Sequence, residues 1–134
     1  MKRPNWLDNL STLQQLAAII YLQEFIPSGG RDLRLLVVGQ KVWALQRTNP
    51  DDWRTNVSRG ARTSQIETTT ELRSMAIAIC QSIRLVIAGI DLIQDTFGAW
   101  HVLEVNGVPG WKGAQSVIDE NIGAQMIETL RMLD

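Results

Sequence analysis

Apolar residues recur along this chain with two different periods. Leu72, Met75, Ala76, Ile79, Cys80 and Ile83 return every three or four positions, which places them on one helical face. Thr68 and Glu71, just ahead of that stripe, form a candidate capping box. Ile118, Ile122, Met126, Ile127, Leu130 and Leu133 predict a last helix in the same way, and Ser11 is placed to cap a first one over Leu13, Leu16, Ala17 and Ile20. Other segments are β-rich. Asp32–Val38 and Lys41–Arg47 read as strands joined by the two-residue turn Gly39-Gln40. Tyr21–Ile26, stopped by Pro27-Ser-Gly-Gly30, and Arg62–Ile66 read as shorter strands. Leu85–Ile93 and Trp100–Val105 suggest a second hairpin, with its loop centred near Phe97–Gly98. Thr48–Gly60 is polar and irregular, and a long loop within a compact domain is often functional. The order α-β-β-β-β-α-β-β-α predicts an α+β domain, an antiparallel sheet with helices packed on one side.

Composition narrows the class. A chain of 134 residues with 45% hydrophobic content forms one domain, 1–134, and can bury a core. A net charge of −1 argues against an electrostatic nucleic-acid binder. No apolar run reaches membrane-spanning length and no signal-peptide core opens the chain, so neither nucleic acid nor membrane is expected as a partner. One cysteine, Cys80, excludes an internal disulfide framework and suits a reducing, cytoplasmic setting; its place in the helical stripe marks it as core.

The second hairpin carries the chemistry. Glu104 and Asn106 lie two apart on an alternating stretch, so a strand projects both from one face. The turn would set Asp91 roughly opposite Glu104. Three side-chain oxygens so placed suit a hard cation such as Mg2+, which takes oxygen ligands and leaves room for water and phosphate. The ordinary alternative is the solvent face of a half-exposed strand followed by an Asn-Gly turn. His101, on the other side of the strand by alternation, is read as structural, and the five tryptophans as packing residues.

Five short motifs in order carry a resemblance. They are Gln23-Glu-Phe-Ile26, Asp32-Leu-Arg34 with Val38-Gly39, Trp53-Arg-Thr-Asn56 with Arg59-Gly60, Gly89-Ile-Asp91, and Glu104-Val-Asn106 with Pro109-Gly110. Together they resemble the ATP-grasp ligases, in particular the α-L-glutamate ligases that modify ribosomal protein tails, from about Tyr21 to the end of the chain. The resemblance implies the C-terminal subdomain of an ATP-grasp fold. It also implies ATP-driven joining of a carboxylate to an amine through an acyl phosphate. Glu24 and the backbone around Phe25 would meet adenine, and Asp32 the ribose. Arg54 and Asn56 would lie beside the phosphates, with Arg59 a neighbour, and Arg54 and Arg59 would serve the transfer step. Asp91, Glu104 and Asn106 would hold Mg2+, or Mn2+ in its place. Each has a plain rival: Asp32 and Arg34 as a surface ion pair, Arg54 and Arg59 as solvated loop residues, Glu24 as an exposed strand residue.

The match also departs from the family. Its upstream subdomain, with phosphate-binding lysines, has no counterpart here, because Lys2, Lys41 and Lys112 stand elsewhere. The chain is therefore expected to be a ligase portion that is inactive alone, and a face left uncovered is expected to favour a homodimer. Trp111 and Lys112 replace the aliphatic and acidic residues usual in the ribosomal-protein branch, which leaves a protein tail or a small coenzyme as acceptor. The rival function is a non-catalytic ATP-grasp-like binding or assembly module.

Overall fold

The computed structural model describes residues 23–49 and 61–133, together with 10, 13–17, 19 and 21. Strands β1 (Arg31–Val38), β2 (Lys41–Thr48), β3 (Arg62–Ile66), β4 (Ile87–Gln94) and β5 (Trp100–Asn106) form one sheet in the order β3-β2-β1-β4-β5. Every neighbouring pair is antiparallel. Helix α1 (Thr70–Ser82) joins β3 to β4, and α2 (Lys112–Gln115) and α3 (Ile122–Arg131) follow β5.

The β1–β2 hairpin forms as its sequence predicts. Val38 pairs with Lys41 across Gly39-Gln40, and Gly39 takes the left-handed backbone at φ 60° that favours glycine. The second hairpin also forms, with Asp91 directly opposite Glu104. Its loop closes through Asp95, whose N–H donates to Ala99 O and whose carbonyl accepts from Gly98 N.

The α+β class and the antiparallel sheet hold, but the helices cover both faces of the sheet rather than one. Leu33, Leu35 and Val37 point to one side with Val42, Ala44, Ala88, Ile90 and Leu92, and are buried under Leu72, Ala76 and Cys80 of α1. Leu36 and Val38 point to the other side with Trp43 and Leu45, under Ala114, Ile118 and Ile122. The cause lies in β1 itself: Leu33–Val38 is almost continuously apolar, the mark of a strand buried on both faces. Full burial of a side chain such as Leu35 or Ile90 stabilises the fold by about 2 kcal/mol.

Four local expectations are corrected. The N-cap of α1 is Thr69, whose hydroxyl accepts from Leu72 N, so Thr68 and Glu71 form no capping box. Thr68 instead extends the sheet where β3 stops, accepting from Ala44 N and donating to Val42 O. The segment 23–28 is irregular rather than a strand; Gly29 and Gly30, both left-handed, turn the chain directly into β1. In the first helix only Leu10 and residues 13–15 are helical among those described, and a turn follows at 16–17. The last helix starts at Ile122 rather than at Ile118: Asn121 caps α3 through Ala124 N, and Ile118 lies in the link that follows the short α2. Gln115 stitches that link, donating to Ile118 O and Glu120 O and accepting from Ile122 N. No helix among the described residues is long and apolar enough to cross a membrane.

Candidate functional site

The sheet face that buries Leu36, Val38, Trp43 and Leu45 at one end is charged at the other. Alternation continues that face through Asp32 and Arg34 on β1 and Arg47 on β2. Register then fixes the partners. Asp32 is opposite Arg47, and Arg34 is opposite Asp91 of β4.

Both pairs are bidentate. Arg47 donates Nε to Asp32 Oδ1 at 2.6 Å and a terminal nitrogen to Oδ2 at 2.5 Å. Arg34 donates Nε to Asp91 Oδ1 at 2.7 Å and a terminal nitrogen to Oδ2 at 2.8 Å. Arg47 also reaches Asp91 Oδ2 at 3.2 Å, which links the pairs into one network of two carboxylates and two guanidinia. Paired geometry of this kind is the strong form of the charged hydrogen bond. Burial opposes the charge on Asp91, yet the Arg34 hydrogen bonds and the nearby Arg47 charge outweigh it and hold its carboxyl below the usual range. Burial likewise opposes the Arg47 charge, and its bonds to Asp32 with the Asp91 charge raise its hold on the proton. The rival reading of Asp32 and Arg34 as a surface ion pair with each other does not hold, because each bonds across to a neighbouring strand.

Glu104 faces Asp91 across β4 and β5, and Asn106 is opposite Gly89, so the three expected cation ligands share a face and adjoin in register. Glu104 is exposed. The Asn106 side-chain oxygen accepts from Val108 N at 2.9 Å, which shapes the loop after β5. That loop folds back over β4. Buried Pro109 lies against Gly89 so closely that a Cβ there would stand 2.9 Å from the Pro109 Cβ. The two glycine-containing motifs are therefore halves of one contact.

Two carboxylates and an amide oxygen are hard donors that fit Mg2+. Among the described residues no group of three His, Cys, Asp or Glu converges as a metal cluster, since the third donor here is asparagine.

The remaining expectations divide. Glu24 and Phe25 are exposed in the irregular segment before β1, and Asp32 is buried at the start of the same strand. Arg54, Asn56 and Arg59 lie outside the described residues. A β-bulge changes the placement of His101. Asp91 pairs with Glu104 but Leu92 pairs with Val102, so Leu103 is the extra residue and the alternation resets. His101 thus falls on the same face as Glu104, where its Nε2 lies 2.8 Å from Asp95 Oδ2. Trp43, Trp100 and Trp111 pack in or against the two cores.

Arg47 was missed from the sequence, and Arg34 was given no separate role. The signal for Arg47 was present: counting outward from Gly39-Gln40 sets Asp32 against Arg47.

The profile of the RimK-like ATP-grasp domain family matches residues 5–130. The chain is 40% identical over 112 residues to a probable alpha-L-glutamate ligase of Coxiella burnetii, across 81% of this chain and 37% of that one. It is 32% identical over 125 residues to a tetrahydromethanopterin:alpha-L-glutamate ligase of Methanococcus maripaludis, across 91% and 42%. It thus spans about two-fifths of the length of these relatives. Among solved structures, a RiPP-associated ATP-grasp ligase of Chryseobacterium gregarium, in complex with ADP and a leader and core peptide, matches with TM-score 0.70 at 19% identity, over 92% of this chain and 39% of that one. At that identity the likeness shows the fold alone.

Proposed function

This chain belongs to the RimK-like ATP-grasp domain family, and from that premise we propose that it is the C-terminal ATP-grasp portion of an ATP- and Mg2+-dependent carboxylate–amine ligase. The reaction we infer is addition of L-glutamate to a protein tail or small coenzyme through an acyl phosphate, in keeping with the names of the two relatives. The observation that carries this reading is the register of the second hairpin. It sets Asp91 opposite Glu104, with Asn106 two residues on, beside Arg34 and Arg47 on one sheet face.

Attack by a carboxylate on the γ-phosphate of ATP brings anions together, and catalysis rests on positioning and charge compensation. Bound Mg2+ would supply positive charge to offset that of the phosphates. Asp91, Glu104 and Asn106 would hold it. Arg34 and Arg47 provide fixed positive charge on the same face, and Arg54 and Arg59 are assigned to the transferred group. Asn56 is assigned to the phosphates. Glu24 and the backbone at Phe25 are assigned to adenine. Asp32, tied to Arg47, is assigned to the ribose edge of the site.

A calorimetric titration with a non-hydrolysable ATP analogue, with and without Mg2+, tests the reading. Metal-dependent binding that is lost in Asp91→Asn and in Glu104→Gln is the expected result. Binding indifferent to both changes would favour the non-catalytic module. The proposed homodimer would use the exposed Ile127, Leu130, Met132 and Leu133 at the C-terminal end, and light scattering tests it.

A further inference from the structure

Asp91 has two claimants. Arg34 takes both of its oxygens at 2.7 and 2.8 Å, and Arg47 adds a contact to Oδ2 at 3.2 Å. A carboxylate offers about four acceptor sites, so the guanidinia fill most of them. The same carboxylate is the proposed cation ligand. A cation and a guanidinium sharing one carboxylate edge would place like charges within a few ångströms of each other, where their repulsion is large.

We propose that Arg34 is an exchangeable counter-ion of Asp91, a positioning residue that orients the carboxylate in the cation-free chain and yields it to a divalent cation. This rests on the reading of Asp91 as a ligand. The two arginines differ in what they hold. Arg47 is bidentate on Asp32, so it stays paired when Asp91 turns away. Among the described residues the ion pair of Arg34 is with Asp91 alone. The Arg34 side chain is 24% exposed against 11% for Arg47, so it has solvent to move into.

A consequence concerns anions. The four side chains sum to zero charge while they are paired with one another. A divalent cation on Asp91 leaves the Arg34 charge free on the same face, open to an anionic oxygen. Cation and anion should therefore bind with positive cooperativity.

The test measures Mn2+ binding to the full chain by the electron paramagnetic resonance signal of free Mn2+. Loss of the competing guanidinium in Arg34→Gln should tighten Mn2+ by about tenfold, and Arg34→Lys, which keeps the charge but not the fork, by less. Equal or weaker binding in Arg34→Gln, with binding still abolished in Asp91→Asn, would overturn the exchange and leave the ligand reading standing. Binding unchanged in Asp91→Asn, or no binding in any chain, would remove both. Should Arg34→Gln not fold, the wild-type chain still decides. The Arg34 Nε–H resonance, assigned by its loss in Arg34→Lys, should shift on addition of Mg2+. An unmoved resonance while Asp91-dependent Mn2+ binding proceeds would overturn the proposal.

Discussion

Arg34 and Asp91 stand directly opposite each other on β1 and β4, joined by two parallel hydrogen bonds of 2.7 and 2.8 Å. Because the pair is largely buried, removal of one partner strands the other. Asp91→Leu should cost about 3–5 kcal/mol. Adding Arg34→Met to it should recover part of the loss, so that the double variant is more stable than the sum of the singles. Urea unfolding of all four proteins measures the coupling. Strict additivity would mean that the pair contributes nothing as a pair.

The same pair predicts an acid limb. The folded-state Asp91 carboxyl titrates below its ordinary value of about 4. Its contribution is therefore whole above that pH and is lost as the pH falls through the lower folded value. Melting temperature should be flat with respect to this group near neutrality and drop below about pH 4. In Asp91→Asn the drop should be shallower. An identical acid limb in both proteins would refute the assignment.

Gly89 is needed for closeness rather than for an unusual backbone angle. Gly89→Ala should drive Pro109 off β4, at a cost of about 1–3 kcal/mol. Gly113→Ala is the control, since a Cβ there meets nothing within 4 Å. Thermal melts of the two variants should separate clearly.

Thr68 and Thr69 offer a third comparison. Thr69→Ala removes a helix cap worth about 1 kcal/mol. Thr68→Ala leaves the buried Ala44 N–H without its acceptor, a loss of about 1–3 kcal/mol. Denaturant midpoints should rank Thr68→Ala as at least as damaging as Thr69→Ala.

That comparison also shows where the sequence was legible. Spacing alone located the stripe of α1, but two adjacent threonines look alike as caps. Only the end of β3 assigns Thr68 to the sheet. Both hairpins were readable because short turns fix register, and so the pairing of Asp91 with Glu104 was predictable. The placement of helices on both faces was written in the apolar run Leu33–Val38, which a reading by element order passed over. The segment 21–26 carries β-type residues, yet no strand forms at the described positions ahead of Gly29 and Gly30. Arg34 and Arg47 acquire their partners only across strands, so no local window reveals the network.

Leu103 has a consequence of its own. The supernumerary residue divides β5 into two halves that are out of phase, one carrying Glu104 and Asn106 and the other Trp100 and His101. Were Leu103 itself to pair with Leu92, so that the bulge vanished without the strand being shortened, the acidic half would stay in place and the distal half would rotate by one pleat. The indole of Trp100 would then exchange sides with the imidazole of His101, moving an aromatic ring out of the core and a titratable ring into it.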